Sequence, residues 1–322
     1  MTHGDARPAP EDGIEVGAGP TGLAALARMI GRHASEDGAH PTAIPRLFLH
    51  RESQPTPPAH LVYEPCVCFV ASGRKQVLVG DEVYIYDPEH YLVVSVDIPV
   101  LARVADASSR DPLLCVRLEL DPAVISALML DGRISRTDRE QTGLALSVSR
   151  MTPELVDACC RLVRLLDSPR DIPVLAPLIE REILYRLLLG EQTARMSQIA
   201  FADSRLQQVN RAIALIRNGF REPICVTELA SAAGMSRSAL HHHFRSVTGQ
   251  TPLQYQKQLR LQEARRLMLG QTMDAAMAGH LVGYESPSQF SREYRRLFGA
   301  PPLQDIAALR AYDTRPGNGE AA

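Results

Sequence analysis

The sequence predicts an α+β fold, with an antiparallel β domain and its flanking helices in front of an all-helical domain. Three observations carry this. Between Tyr63 and Leu120, short apolar runs alternate with period two and are broken by turn residues, as in a small antiparallel sandwich or barrel. From Asp121 to Gly190 the apolar spacing becomes helical. From Ser204 to about Tyr312 the pattern is helical throughout, and it twice repeats a helix, a glycine turn and a capped second helix.

Taken in order, the chain starts with a Gly/Pro-rich stretch, residues 1–20, expected to be a flexible tail. It contains "VGAGPTGLAAL", in which Gly17, Gly19 and Gly22 have the G-x-G-x-x-G spacing of a dinucleotide-binding turn. That motif needs a buried strand before it and an acidic residue ending the next strand. "PAPEDGIEV" is too polar for the strand, and Glu36 and Asp37 fall in a polar loop. The stretch is therefore read as a tail feeding a first helix, "LAALARMIGRHA".

In the β region, Val77, Val79, Val83, Ile85, Val94 and Val96 alternate, with breaks at Gly73, Gly80, Asp87-Pro88 and Asp111-Pro112. Helices follow behind Asp121-Pro122 and Thr152-Pro153, both an N-cap with proline at the first helical position. Leu155, Cys159, Leu162, Val163 and Leu166 form one apolar stripe; Leu178, Ile179, Ile183 and Leu187 form another before the stop at Gly190. Two readings of these stripes stay open: packing on the β domain, or a dimer seam. "EQTARMSQIAFADS" reads as a polar connector. The expected division is a tail 1–20, a sensing and dimerisation domain 21–190, a linker 191–204, a helical domain 205–312 and a tail 313–322.

Composition narrows the function classes. The 322 residues suffice for two domains, and no run of 18 apolar residues could cross a membrane. No secretory signal pattern opens the chain, so a cytoplasmic location is expected. The six cysteines fit no zinc spacing and are expected to be thiols there. The net charge of −2 hides an asymmetry: residues 203–322 carry 15 Lys+Arg against 10 Asp+Glu, and residues 1–202 carry 20 against 27. A basic back half suits a polyanion.

The most informative stretch is "VTELASAAGMSRSALHHHF". Ala230 lets two helices cross closely and Gly234 takes the tight turn. In the second helix Leu240, Phe244 and Val247 face inward, while Ser238, His241 and His242 lie opposite, on a face that would enter a DNA major groove. Consecutive helical residues point about 100° apart, so His241, His242 and His243 cannot share one metal ion. A second unit, "GYESPSQFSREYRRLFG", follows a long helix. Ser286, Pro287 and Gln289 spell a capping box, Phe290, Tyr294 and Leu297 face in, and Ser288, Ser291, Arg292 and Arg295 face out. Arginine can pair bidentately with guanine. Arg265, Arg266 and Arg296 read as phosphate contacts or as solvated.

"LASAAGMSRSALHHHFRSVTGQTPLQYQKQLRLQEARRLML" and "VGYESPSQFSREYRRLFGAPP" closely resemble the AraC-type transcriptional regulators. The front stretches "EPCVCFVASGRKQVLVGDEVYIYDPEHYLVVSVDIPV" and "LAPLIEREILYRLLLG" also look like one branch of that family. The resemblance implies a cupin-like N-terminal domain, a small β-barrel with helices. It implies a C-terminal domain of two helix-turn-helix subdomains joined by a linker helix, binding double-stranded DNA and regulating RNA polymerase. It places base-reading positions on Ser238, His241, His242, Pro287, Ser288, Ser291 and Arg292. One departure stands out: "DAAMAGHLVG" has Ala278 and Gly279 where the family usually has a branched apolar residue and alanine. Glycine costs a helix about 1 kcal/mol relative to alanine, so a looser second unit is expected.

For the front half, Cys66 and Cys68 share a strand face, either as a reactive pair or as small buried hydrophobes, and His90 stands beside Tyr91. With Cys66, Cys68 and His90 as candidate sensing residues, the domain reads as a pocket for an unknown small-molecule effector. The histidines there lack the H-x-H spacing of a metal-dependent cupin enzyme, so neither a metal nor another cofactor is expected. A homodimer is the expected assembly. The alternative is a cupin-type or flavin-dependent enzyme with an incidental helical tail.

Overall fold

The computed structural model describes residues 22–132, 144–201, 204–271 and 273–313. Helix α1 (Leu23–His33) leads into strands β1 (Gly38–Pro41), β2 (Leu47–Glu52), β3 (Ala59–Tyr63), β4 (Cys66–Ser72), β5 (Arg74–Val79), β6 (Glu82–Tyr86), β7 (His90–Val94), β8 (Ile98–Asp106) and β9 (Leu113–Glu119). After α2 (Pro122–Asp131) come β10 (Leu146–Arg150), α3 (Pro153–Arg164), α4 (Ile172–Leu189) and α5 (Thr193–Ala200). The remainder is α6 (Arg205–Gly219), α7 (Val226–Ala232), α8 (Arg237–Thr248), α9 (Pro252–Gly270), α10 (Ala275–Leu281), α11 (Pro287–Phe298) and α12 (Pro302–Asp313).

The fold is α+β, and the described strands form two antiparallel sheets rather than one closed barrel. One has the order β1-β2-β9-β4-β7-β10, the other β3-β8-β5-β6. Alternation explains the split. Strand β6 reads exposed at Val83 and Ile85 but turns Tyr86 inward, so the four-stranded sheet has one wet face. Strand β4, "CVCFVA", is buried on both faces, because the second sheet lies on one side and α1 packs on the other. Gly73 sits between β4 and β5 at φ 80°, where an added Cβ would lie 2.8 Å from the Asp106 carbonyl oxygen.

Gly17 and Gly19 lie outside the described residues, as does the tail 314–322. Gly22 precedes α1, and the strand that follows, β1, pairs antiparallel with β2. All described strand pairs are antiparallel, so the parallel sheet of a dinucleotide fold is not among them.

The expected caps form. Asp121 accepts from the Ala123 N–H at 2.8 Å and Thr152 from the Leu155 N–H at 3.3 Å. In the first stripe Leu155, Cys159, Leu162 and Val163 are buried and Leu166 is half-buried. The second divides: Ile179, Ile183 and Leu187 are buried, but Leu178 points outward at 60% exposure. The polar connector is helical; in α5, Arg195 is buried and donates to the Leu144 carbonyl at 2.8 Å.

The two halves are in contact. Ala145 N–H donates to the Val247 carbonyl at 2.7 Å, Tyr255 donates its hydroxyl hydrogen to the Asp97 carbonyl at 3.0 Å, and Arg217 pairs with Asp97 and with Glu64. One apolar core runs from the sheets into α6, α8 and the start of α9, and a second lies under α10 and α11.

Candidate nucleic-acid interface

The last seven helices build one small unit twice, on either side of α9. In the first, α7 turns at Gly234 (φ 71°), with Met235 N–H reaching back to the Ala230 carbonyl at 2.9 Å. In the second, α10 turns at Gly283 (φ 90°), with Tyr284 N–H reaching the Gly279 carbonyl at 3.0 Å. Ser236 caps α8 by accepting from Ala239 N–H at 3.2 Å, and Ser286 caps α11 by accepting from Gln289 N–H at 3.3 Å. Each helix ends on a left-handed glycine, Gly249 and Gly299.

The Ser286 cap is half of the expected box. The Gln289 side chain donates instead to Glu293 at 3.3 Å, whereas Thr251 and Gln254 at the start of α9 form the complete reciprocal pair.

The inward faces are as read. Leu240 and Phe244, and fifty positions on Phe290 and Tyr294, are almost fully buried. Outward, α11 presents Ser288, Ser291, Arg292 and Arg295, all exposed; α8 presents Ser238 and His242 exposed and His241 half-buried. The exposed Arg245 extends the α8 stripe by one turn at the position equivalent to Arg295, which sequence reasoning missed although i+3/i+4 spacing from His242 and His241 marks it. Among the described residues no carboxylate lies within ion-pair distance of Arg245, Arg292 or Arg295, so their guanidinium groups are available to an outside anion.

Arg265 corrects the sequence reading. It is 18% exposed, grips Asp305 through two bonds of 2.8 and 2.7 Å, and lies 4.4 Å over the Phe298 ring. It is a brace between α9 and α12, not a phosphate contact. Arg266 pairs with Glu263, and Arg296 is exposed.

The glycine expected to loosen the second unit has a packing role. A Cβ at Gly279 would lie 2.9 Å from Phe290 Cγ, so glycine here lets α11 close onto α10. The propensity cost is offset by burial of the Phe290 ring.

Two further groups, unread in the sequence, fix the units against each other. Arg260 on α9 donates to the carbonyls of Phe220 (2.6 Å), Gly283 (2.8 Å), Arg221 (2.8 Å) and Glu222 (3.1 Å). Those carbonyls come from the α6–α7 loop of one unit and the turn of the other. A Cβ at Gly283 would lie 2.0 Å from the Arg221 carbonyl oxygen, so the close approach needs glycine. Glu293 takes hydrogen bonds from Lys257 (2.9 Å) and Tyr284 (2.8 Å). These and Gln289 overcome its burial and hold its carboxyl below the usual range.

In the front half, Cys66 and Cys68 are together and buried, with Sγ atoms 3.8 Å apart. Cys115 opposes His50 across the β2–β9 ladder. The Cys115 thiol pulls Cys68 down, but contact with Cys66 and burial outweigh it and hold Cys68 protonated, which suits packing better than thiolate chemistry. His90 is not with them. It lies at the start of β7, where its Nδ1 shares a hydrogen bond with Asp87 at 2.8 Å, while Cys66 opposes Val94 at the other end of that strand. Among the described residues no group of three or more His, Cys, Asp or Glu could hold a metal ion, and no helix is long and apolar enough to cross a membrane.

Two capped helices held in fixed relation, each showing a polar and basic stripe, define a double helix-turn-helix DNA-binding protein with an appended β domain. The comparisons agree. The model for the AraC-type transcriptional regulator N-terminus matches residues 43–195, and a helix-turn-helix domain model matches residues 229–307. The chain belongs to the AraC-type transcriptional regulators. It is 26% identical over 144 residues to the HTH-type transcriptional regulator ArgR of Pseudomonas aeruginosa, covering 45% of this chain and 44% of that one. It is 28% identical over 166 residues to the HTH-type transcriptional activator RhaS of Citrobacter koseri, covering 51% and 59%. The chain thus spans about half the length of these relatives. The crystal structure of unsaturated fatty acid bound ToxT from Vibrio cholerae shares the fold, with a TM-score of 0.51 at 10% identity over 81% of this chain and 93% of that one.

Proposed function

We propose that the chain is a sequence-specific regulator of transcription, acting on RNA polymerase from an operator and controlled by a small molecule bound in the front half. The carrying observation is the repeated stripe: Ser238, His241, His242 and Arg245 on α8, and Ser288, Ser291, Arg292 and Arg295 on α11. Each occupies i, i+3, i+4 and i+7, the face a recognition helix lays into a major groove. The rigid α9 between them suits two successive major grooves on one side of the duplex, about 34 Å apart. On this reading the protein is a cytoplasmic, non-enzymatic DNA reader. Residues 205–312 are the DNA-binding domain, 191–204 the linker and 21–190 the sensing domain. The apolar side chains that α4 turns outward, Val174, Leu178, Tyr185 and Leu189, support a homodimer seam.

The test is enrichment of duplex from a random pool by the full chain, at about 50 and about 200 mM salt. A recovered motif of two short elements one helical turn apart, held more weakly at the higher salt, supports the reading. Recovery of no motif at either salt contradicts it.

A further inference from the structure

The front half touches both recognition helices, and at the same end of each. On α8 the Ala145 N–H donates to the Val247 carbonyl at 2.7 Å. That carbonyl belongs to the last turn, where a helix has no partner of its own to offer. The Leu144 side chain and the β5–β6 turn close on the same end: a Cβ at Gly249 would lie 3.4 Å from Leu144 Cδ2 and 3.5 Å from Gly80 Cα. On α11 the His60 ring of β3 meets the Phe298 ring edge-on, with 5.0 Å between centroids. The backbone of Leu297, fifty positions on from Val247, faces that histidine. Burial and the neighbouring Arg265 lower the His60 pKa, so the ring is neutral at pH 7 and packs as an aromatic.

Both contacts are held from behind. The Ala145 carbonyl accepts from the Ser95 N–H and from Ser95 Oγ, each at 3.0 Å. Arg195 of α5 donates to the Leu144 carbonyl at 2.8 Å and to Ser95 Oγ at 3.3 Å. Arg195 is 9% exposed, and among the described residues no carboxylate lies within ion-pair distance of it. A buried guanidinium without a counter-charge is destabilising, yet its hydrogen bonds fix the one backbone segment that holds α8. Strand β3 is likewise paired with β8 along its length, from Ala59 with Ala102 to Tyr63 with Ile98. The reading surface stays clear of both contacts. With the front half in place, Ser238, His242, Arg245, Ser288, Ser291, Arg292 and Arg295 are all exposed. A recognition helix meets base edges chiefly through its N-terminal residues, the end away from Val247 and Phe298.

We infer that the front half is a second brace on the DNA reader. By gripping the C-terminal ends of α8 and α11, through residues 144–145 and through His60, it holds the two recognition helices at the separation and angle that a two-part operator requires. Docking is then the reading state and not a block, and Arg195 and His60 are positioning residues that touch no DNA. The inference rests on the reading that α8 and α11 bind duplex DNA, and it assigns the regulation of that site. A small molecule that favours the undocked front half lowers affinity at the preferred spacing, by as much as its own affinity differs between the two states.

The test uses the full chain and duplexes carrying its selected motif, with the two half-elements at their selected separation or moved apart. The variants are His60→Ala, Arg195→Met, the double variant, and His60→Phe, which keeps a ring against Phe298; thermal unfolding checks that each is folded. Wild type is expected to prefer one separation. His60→Ala and Arg195→Met should each reduce that preference by about 10-fold or more, with the single-base preferences inside both half-elements unchanged, and His60→Phe should restore most of it. A role in folding alone would lower Tm and leave the spacing preference as it was. A folded double variant with the wild-type spacing preference would overturn the inference. So would a variant that binds the operator more tightly than wild type, because the front half would then be a block. A wild-type chain that enriches no motif would instead refute the DNA-binding reading itself, and the inference with it.

Discussion

Arg260 is predicted to set the spacing at which the two recognition helices meet DNA. Its guanidinium donates four hydrogen bonds to four backbone carbonyls, three in the α6–α7 loop and one at Gly283 in the turn of the second unit. Arg260→Ala removes all four. Two of the acceptors, on Phe220 and Glu222, keep the Gln256 amide as donor at 2.9 and 2.5 Å, so the net loss falls on the Arg221 and Gly283 carbonyls. A hydrogen bond involving a charged group contributes about 1.5–3 kcal/mol, and these two carbonyls lie where water can partly replace the donor. The expected destabilisation is therefore about 2–4 kcal/mol, and about 1–2 kcal/mol for Arg260→Lys, which has a point charge in place of a planar fork. Denaturant unfolding measures the stability. Binding to operators whose half-elements are moved apart measures the coupling: wild type should bind one spacing, and Arg260→Ala should bind more weakly but discriminate spacing at least 10-fold less. Unchanged stability together with an unchanged spacing preference would refute the brace.

Three other outcomes follow from the same geometry. Arg292→Ala is expected to cost about 1–3 kcal/mol at one base pair and to leave the others unchanged, measured by competition among single-base operator variants; Arg265→Ala should instead unfold the second unit and weaken all sites alike, because its partner is Asp305. Gly279→Ala gains about 1 kcal/mol of helix propensity but forces a Cβ to 2.9 Å from the Phe290 ring, for a net loss of about 1 kcal/mol by denaturant unfolding that Phe290→Leu should relieve. Burial, aided by Lys75, Arg117 and His40, lowers the His50 pKa from 6.5 to about 2, so below pH 6.5 the unfolded chain takes up a proton that the folded one refuses. Stability should be full above pH 6.5 and fall by about 1 kcal/mol per unit below it, and a His50→Gln variant should lose that slope.

Much of the helical half was legible because its signals are local. Ser236 and Ser286 cap through neighbours three residues away, and the inward stripes follow from helical period alone, whereas the contact of Gly283 with Arg221 has no local signal. What could not be read is what depends on contacts distant in sequence. Arg265 and Arg295 look alike in the chain, yet one is held by Asp305 forty positions on and the other faces water. Gly279 looked like a weakness because its compensation, the Phe290 ring, belongs to another helix. In the front half, period two gave the strands but not their partition into two sheets, which is set by pairings such as β4 with β9 and β3 with β8.

The DNA-binding proposal requires α8 and α11 to read one face of the duplex as a rigid pair. The most direct measurement is the affinity of the full chain for its selected operator before and after insertion of about 5 bp, half a helical turn, between the two half-elements. A rigid pair predicts a loss of at least 100-fold for this duplex and for one with about 10 bp inserted, because α9 fixes the separation as well as the phase. Equal affinity for all three duplexes would contradict it, because each unit would then be reading DNA alone.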